Sequence, residues 1–198
     1  PGIAGAYQAA VADLPAYLSG HGYYPAGLPE LQQRLAEGYR RRGLPTDPEQ
    51  VFVTVGALTA ATIAARVLVR PGDRVLVEVP GYPNAAQAFK GAGARLVPIP
   101  VDAGGWDLDL LESTVRRLRP RAAYLGPDFH NPTGALMGDT DRARVARALA
   151  SAGTVAVVDE VHQELALDGR RMPRPLARHV ADAGGLSITV SGASKMLW

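Results

Sequence analysis

The sequence predicts an α/β protein of three layers, α/β/α, in which helices cover both faces of a mainly parallel sheet. Three observations support this fold class. Apolar runs typical of strands alternate with helical patterns along most of the chain. The runs are continuous rather than alternating, as expected for strands buried on both faces. The chain, with 198 residues, is also long enough for one domain with a substantial core.

The first quarter of the chain is predicted to hold only one helix and one helical turn. Residues 1–27 are rich in Gly, Pro and Tyr and show little periodicity, so we expect a loop there. Apolar residues then recur at helical spacing from Leu28 to Tyr39, and Gly43 ends that helix. A capping-box pattern that starts at Thr46, with a proline in the first turn, predicts a short helical turn.

From residue 51 onward, strands and helices alternate. The predicted strands are 51–55, 74–79, 96–101, 122–125, 155–158 and 186–190. The predicted helices are 57–69, 82–92, 107–118, 139–150 and 176–183. Ligands of parallel sheets bind at the carboxyl ends of the strands, so the residues that follow each strand are the candidate site.

Composition excludes several classes of function. The chain has no cysteine, which excludes disulfides and thiolate chemistry. It has no apolar stretch long enough to span a membrane and no signal-peptide pattern, so we expect a cytoplasmic protein. The formal charge is only +2, and the arginine clusters at 40–42 and 116–121 fall at the ends of helical patterns. Compensation of helix dipoles explains these clusters better than a nucleic-acid surface does.

A lysine, Lys195, follows the last predicted strand and a run of small residues. The chain has 21 basic residues, of which only Lys90 and Lys195 are lysines. A desolvated lysine can lose its proton and form a Schiff base, which an arginine cannot do. A chance lysine at the edge of a loop explains this segment equally well when it is taken alone.

Two other features that follow strands suggest ligand contacts, one with an anion and one with a flat ring. Gly56 separates a strand from a helix, and the first N–H groups of that helix, at Ala57 and Leu58, suit an anion. Tyr82 lies between two prolines, which hold its ring stiffly enough to stack on a heteroaromatic ligand. An ordinary turn and a packed loop tyrosine are the alternative interpretations.

Two polar features follow later strands. Asn131 offers both a donor and an acceptor in a turn that Pro132 restricts. Asp159 ends an apolar run, where a carboxylate needs a cationic partner, and a protonated ring nitrogen would serve. A helix cap, a structural ion pair or a metal ligand would also explain Asp159, although no zinc-type spacing accompanies it.

Taken in order, these features resemble the large domain of pyridoxal-phosphate (PLP) enzymes of fold type I, the class I/II aminotransferase family. The matching stretches are 24–31, 71–78, the Asn-Pro-Thr-Gly turn at 131–134, Asp159 and the Ser-Lys pair at 194–195. The resemblance implies an aspartate aminotransferase-like PLP-binding domain over residues 31–198, preceded by an N-terminal arm over residues 1–30. It also implies that the chain is truncated and lacks the C-terminal small domain.

The resemblance implies how PLP would be held. Lys195 would form the Schiff base and carry the proton at Cα during transfer of an amino group from an amino acid to a 2-oxo acid. Asp159 would pair with the pyridine nitrogen, Tyr82 would stack on the ring, and Asn131 would bind the ring oxygen. His162 stands where many relatives carry a tyrosine and would donate to the same oxygen.

The resemblance also implies a phosphate site and a dimer. The phosphate would be held by the N–H groups after Gly56, at Ala57 and Leu58, with help from Ser191 or Ser194. The position three before the lysine, where relatives often carry a phosphate-binding serine, is Gly192. Sites of this fold type form between two subunits, so a homodimer is expected.

Two further interpretations stay open within the same fold. Residues 42–48 and 127–134 are similar to the aminotransferase-like domain of MocR/GntR-type regulators, in which PLP binding serves sensing. DNA would then be bound only through a domain outside this chain. The Asp-Glu-Val-His run at 159–162 also resembles PLP-dependent carbon–sulfur β-lyases.

Overall fold

The computed structural model describes residues 2–195 and has an α/β architecture, as predicted. Its helices are α1 Ile3–Leu18, α2 Pro29–Arg41, α3 Ala57–Leu68, α4 Pro83–Gly91, α5 Leu108–Leu118, α6 Asp139–Ala152 and α7 Leu176–Asp182. Its strands are β1 Arg74–Val79, β2 Arg95–Asp102, β3 Gly105–Trp106, β4 Ala122–Leu125, β5 Val155–Asp159 and β6 Ser187–Val190. Single 3-10 turns occupy Pro48–Gln50 and Ala193–Lys195.

The six strands form one sheet in the order β3-β2-β1-β4-β5-β6. All neighbours are parallel except β3, a two-residue edge strand that runs antiparallel to β2 and was not predicted. The chain passes from β1 outward to β2 and β3, and then returns to the other side of β1 as β4. This reversal leaves a crevice at the carboxyl ends of β1 and β4, which is where ligands bind in open parallel sheets.

Alternate residues of each strand serve two cores, one on each face of the sheet. Leu76 of β1 belongs to the core under α5, α6 and α7, whereas its neighbours Val75 and Val77 pack under α3 and α4. Both faces are covered because every strand between the edges carries apolar side chains in both directions. Among residues 2–195, no helix has the length and apolar character needed to cross a membrane.

The N-terminal segment differs from the prediction of a loop. Residues Ile3–Leu18 form a helix, α1, although none of its residues is buried. Ala and Gln are strong helix formers, so local propensity favours a helix even where no apolar face is packed. The prediction relied on periodic burial, which this segment lacks, and therefore missed it.

The predicted strand at 51–55 is extended but pairs with no strand among residues 2–195. Its hydrogen bonds run to the N-terminal segment instead, from the N–H of Val53 to the carbonyl of Ala26 at 2.8 Å. Val53 also presses against Gly27, where a Cβ atom would lie 2.3 Å from the valine Cγ2. The β-branched residues therefore predicted the extended backbone correctly, but not the absence of a sheet partner.

The remaining elements agree with the predictions to within one or two residues, and local chemistry explains their ends. The Asp107 carboxylate accepts a hydrogen bond from the N–H of Leu110 at 2.9 Å and caps α5. The capping box before the first 3-10 turn joins Asp47 to Gln50, one residue later than the sequence pattern suggested. These caps fix where the helices begin and so where the preceding loops present their side chains.

Candidate functional site

The carboxyl ends of four adjacent strands, β1, β4, β5 and β6, carry most of the sequence-predicted site residues. Because these strands are parallel neighbours, the residues that follow them lie along one edge of the sheet. In strand order, these residues are Tyr82 after β1, Asn131 after β4, Asp159 and His162 at and after β5, and Ser191, Ser194 and Lys195 after β6. The predicted segments thus come together at one place.

The carboxylate of Asp159 is held from both sides. One oxygen accepts a hydrogen bond from the phenol of Tyr124 on β4, and the other accepts from the N–H of Val161 at 3.0 Å. Burial raises the pKa of Tyr124, and the neighbouring Asp159 carboxylate raises it further, so the phenol stays a donor. The carboxylate is therefore oriented before any ligand arrives.

Tyr124 is a site residue that the sequence reasoning missed. It occupies β4 in an otherwise small and apolar strand, and its relative exposure is only 6%. A buried tyrosine needs a partner for its hydroxyl group, and a strand-end carboxylate on the next strand is such a partner. That combination is visible in the sequence only once β4 and β5 are known to be neighbours.

Tyr82 lies at a cavity of about 390 Å³ that also exposes Tyr124. The Tyr82 side chain is partly exposed, and its hydroxyl accepts a hydrogen bond of 3.2 Å from the Asn84 amide. The cavity is lined by residues of β1, β2 and α4 together with Tyr124, so the exposed ring of Tyr82 lies beside the strand that neighbours β4. This placement suits a ring that stacks on a planar ligand.

The start of α3 offers backbone N–H groups to an anion. Gly56 adopts a φ of +83°, a conformation that favours glycine, and so turns the chain into the helix. Within residues 2–195, the N–H groups of Ala57 and Leu58 have no hydrogen-bond acceptor. Together with the helix dipole, this makes the turn a suitable cradle for a phosphate group.

The loop after β6 passes beside that cradle. A Cβ atom placed on Gly192 would lie 3.9 Å from the nitrogen of Ala57 and 3.7 Å from its Cβ. Ser191 and Ser194 flank Gly192 on a loop that is largely exposed. The predicted phosphate-binding serines and the predicted phosphate-binding amides are therefore neighbours in space, although they are separated by more than 130 residues in sequence.

A partly buried ion pair links the C-terminal end of α2 to the same edge of the sheet. Arg42 donates a 2.8 Å hydrogen bond to Glu160, whose side chain is completely buried, and lies over the ring of Tyr39. Burial raises the pKa of Tyr39, the Glu160 carboxylate adds to the rise, and the Ser191 hydroxyl opposes it. Glu160 directly follows Asp159, so this pair ties the segment at 39–42 to both β5 and the loop after β6.

Asn131, His162 and Lys195 are placed at this edge without side-chain hydrogen bonds to one another within residues 2–195. Asn131 is exposed in a turn, His162 is half-buried in the turn after β5, and Lys195 is exposed in the last 3-10 turn. The roles of these three residues in binding PLP stay predictions.

Comparison with known proteins gives a consistent result. The family model described as aminotransferase class I and II matches residues 15–197. The 2-aminoadipate transaminase of Thermus thermophilus is 39% identical over 152 residues, which cover 76% of this chain and 38% of that protein. The probable rhizopine catabolism regulatory protein MocR of Rhizobium meliloti is 36% identical over 180 residues, covering 90% of this chain and 35% of that protein.

A solved structure has the same fold. LysN, an alpha-aminoadipate aminotransferase of Thermus thermophilus complexed with N-(5'-phosphopyridoxyl)-L-leucine, superposes with a TM-score of 0.85 at 33% identity. The match covers 97% of this chain and 49% of that one. The chain thus spans half or less of the length of these relatives.

Proposed function

The chain belongs to the aminotransferase class I and II family, and we propose that its full-length protein transfers an amino group between an amino acid and a 2-oxo acid. PLP is the cofactor in this proposal, and Lys195 is its covalent anchor. The observation that carries the proposal is the arrangement at the carboxyl edge of the sheet. There, an oriented carboxylate, an exposed aromatic ring and a lysine come after parallel strands, and the anion cradle at the start of α3 lies beside the loop after β6.

The chemistry of these groups fits PLP. The amides of Ala57 and Leu58 suit a dianionic phosphate, and the glycine at 192 leaves the approach to them open. At the other end of the crevice, Asp159 suits a protonated pyridine nitrogen, because both of its oxygens are already aimed by neutral donors. When bound, PLP supplies the electron sink that stabilises negative charge at the substrate Cα.

The side chains of this chain would then divide the remaining work. Asp159 keeps the ring nitrogen protonated, and Tyr124 keeps Asp159 in place. Asn131 and His162 orient the ring oxygen, and Tyr82 covers one face of the ring. The Lys195 amine would hold the cofactor and would serve as the base that carries a proton at the substrate Cα.

The organisation of the whole protein belongs to the same proposal. Residues 31–198 form the PLP-binding domain, residues 1–30 form an N-terminal arm, and a second copy of the chain completes the site. The partners are an amino acid and a 2-oxo acid. The cytoplasmic location expected from the sequence stays a prediction.

An assay of the full-length protein tests this function. The protein is incubated with PLP, a panel of amino acids and 2-oxoglutarate or pyruvate, and the new amino acid is measured. We expect amino transfer with at least one pair, and its loss in Lys195→Ala. Release of pyruvate from a sulfur amino acid without amino transfer would instead identify a carbon–sulfur β-lyase.

A second candidate is supported by the similarity to MocR, which covers 90% of this chain. In this alternative, the domain binds PLP as the effector part of a transcriptional regulator, and DNA is bound elsewhere in the protein. Reading the gene upstream of Pro1 separates the two. A winged helix-turn-helix domain there would favour the regulator, and a start codon close by would favour a free-standing enzyme.

A further inference from the structure

Glu78, the penultimate residue of β1, is a buried carboxylate for which the proposed chemistry has no use. Its relative exposure is 7%. One oxygen accepts a hydrogen bond of 2.6 Å from the indole N–H of Trp106 on β3, and the other accepts one of 2.8 Å from the N–H of Gly126 after β4. Burial of a carboxylate costs free energy of desolvation unless hydrogen bonds or a cation compensate it. The groups that contact the Glu78 carboxylate therefore indicate what it positions.

The side chain also faces His130, the residue before Asn131. The His130 Nε2 lies 3.4 Å from the second oxygen of Glu78, in a contact that is electrostatic rather than a well-formed hydrogen bond. The ring of Trp106 meets the imidazole edge-on, with 5.6 Å between ring centres. His130 is thus buried between the end of β1 and the edge strand, and its orientation depends on both.

The other nitrogen of His130 leads into the turn that presents Asn131. Nδ1 lies 3.0 Å from the hydroxyl oxygen of Thr133, which itself accepts from the N–H of Ala135 at 3.3 Å. We assign the imidazole proton to Nε2, because the Thr133 hydroxyl can then donate to Nδ1 while the proton faces the Glu78 carboxylate. The chain of contacts from Ala135 to Glu78 then has a donor and an acceptor at each step.

Glu78 is also close to the second loop of the site. A Cβ atom on Gly81 would lie only 2.4 Å from the Glu78 carbonyl oxygen, so the chain folds back tightly on Glu78 just before Tyr82. The same residue therefore lies next to the end of the strand that leads to Tyr82 and receives contacts from the loop that leads to Asn131. These are the two loops that border the crevice between β1 and β4.

From these contacts we infer that Glu78 is a positioning residue, which fixes the Asn131 turn against the cofactor crevice through Gly126, His130 and Thr133. The inference rests on the proposed PLP site. Glu78→Gln is the sharpest variant, because an amide has one acceptor oxygen where the carboxylate has two. At least one of the N–H groups of Trp106, Gly126 and His130 then faces an NH₂ group, while the volume of the side chain is almost unchanged.

Two measurements on the full-length protein test the inference. Hydrogen exchange of the protein without cofactor reports on the turn directly, and we expect Glu78→Gln to speed exchange in peptides covering 126–135 by about tenfold or more. Titration with PLP reports on the site, and we expect about tenfold weaker binding with a shifted absorption band of the bound cofactor. Glu49→Gln, an exposed glutamate in the first 3-10 turn, is the matched control and should change neither.

A double-mutant comparison tests the proposed route. If Glu78 acts through His130, the effects of Glu78→Gln and His130→Gln on PLP binding should not add in the double variant. Unchanged exchange over 126–135, or faster exchange with unchanged PLP affinity and spectrum, would overturn the inference. Absence of PLP binding by the unmodified protein would instead overturn the proposed function, and the exchange result would still decide whether Glu78 fixes the turn.

Discussion

The two ends of the parallel strands are held by different kinds of contact. We call them the amino edge and the carboxyl edge of the sheet. At the amino edge, several ties join backbone to backbone, such as the N–H of Arg95 to the carbonyl of Asp73 at 2.8 Å and the N–H of Arg121 to that of Arg74 at 2.8 Å. At the carboxyl edge, several ties run through side chains, such as the buried Glu78 and Tyr124 and the half-buried Asp159.

This difference suggests that contacts at the amino edge mainly stabilise the fold, whereas contacts at the carboxyl edge mainly orient groups for a ligand. A backbone tie does not depend on which side chain occupies the position, so the amino edge can hold the fold with many sequences. A tie through a carboxylate or a phenol depends on that group alone and orients it for a ligand. Substitutions at the carboxyl edge should therefore change cofactor binding first, and those at the amino edge should change the free energy of unfolding first.

The largest effect at the carboxyl edge is expected for Asp159→Ala in the full-length protein. Removal of the carboxylate leaves the ring nitrogen of PLP without its charged partner, and we expect roughly a 100-fold loss of amino-transfer rate or cofactor affinity. Absorbance titration with PLP and the transfer assay measure it. Asp168→Asn, an exposed carboxylate in a loop, is the matched control, and an equal loss there would contradict a specific role for Asp159.

A smaller effect at the same edge is expected for Tyr124→Phe. The ring still fills its place in the core, but Asp159 loses one of its two donors, so PLP affinity should fall roughly tenfold. The exposed Tyr7 offers a matched Tyr→Phe control. If Tyr124→Phe lowered the denaturation midpoint and left PLP affinity unchanged, the phenol would contribute to stability and not to cofactor binding.

Thr154→Val tests the amino edge, where a substitution should change the free energy of unfolding and not PLP affinity. The buried Thr154 hydroxyl donates a 2.8 Å hydrogen bond to the carbonyl of Pro120, which the variant leaves without its partner. The free energy of unfolding should fall by about 1 kcal/mol, with no change in PLP affinity. Urea denaturation of the full-length protein gives the first quantity, and a loss of PLP affinity at constant stability would break the contrast between the edges.

The smallest effect is expected outside both edges, at the surface pair between α5 and α6. Arg144 bonds to Glu112 at 2.9 Å, and this hydrogen bond lowers the pKa of Glu112. A lowered pKa gives stability that is present above the ordinary pKa of a glutamate and is lost as the pH falls through the folded value. Arg144→Gln should therefore lower the free energy of unfolding slightly at neutral pH and leave it unchanged below the folded pKa of Glu112, and a large loss at neutral pH would contradict this.

Most of the fold could be predicted because its signals are local and repeated. Continuous apolar runs located the parallel strands, and caps such as Asp107 located the helix starts to within a residue or two. The failures concern segments whose state depends on partners. Helix α1 forms without burying a face, and the extended run at 51–55 has no strand to pair with among residues 2–195.

The candidate site was predictable in part for the same reason. Asp159 and Asn131 stand out because a polar residue ends or follows an apolar run, which is visible in one dimension. Tyr124 and Glu78 lie inside strands, and their importance arises from neighbours 35 and 28 residues away in sequence. Only the order of the strands brings these partners together, and no local pattern specifies it.

In the proposed function, the carboxyl edge of the sheet holds PLP on Lys195. The most direct test is to add PLP to the full-length protein, reduce with borohydride and locate the adduct by peptide mass. The claim predicts an adduct on Lys195 that is absent from Lys195→Ala. An adduct on Lys90, the other lysine of the chain, or no adduct at all would contradict it.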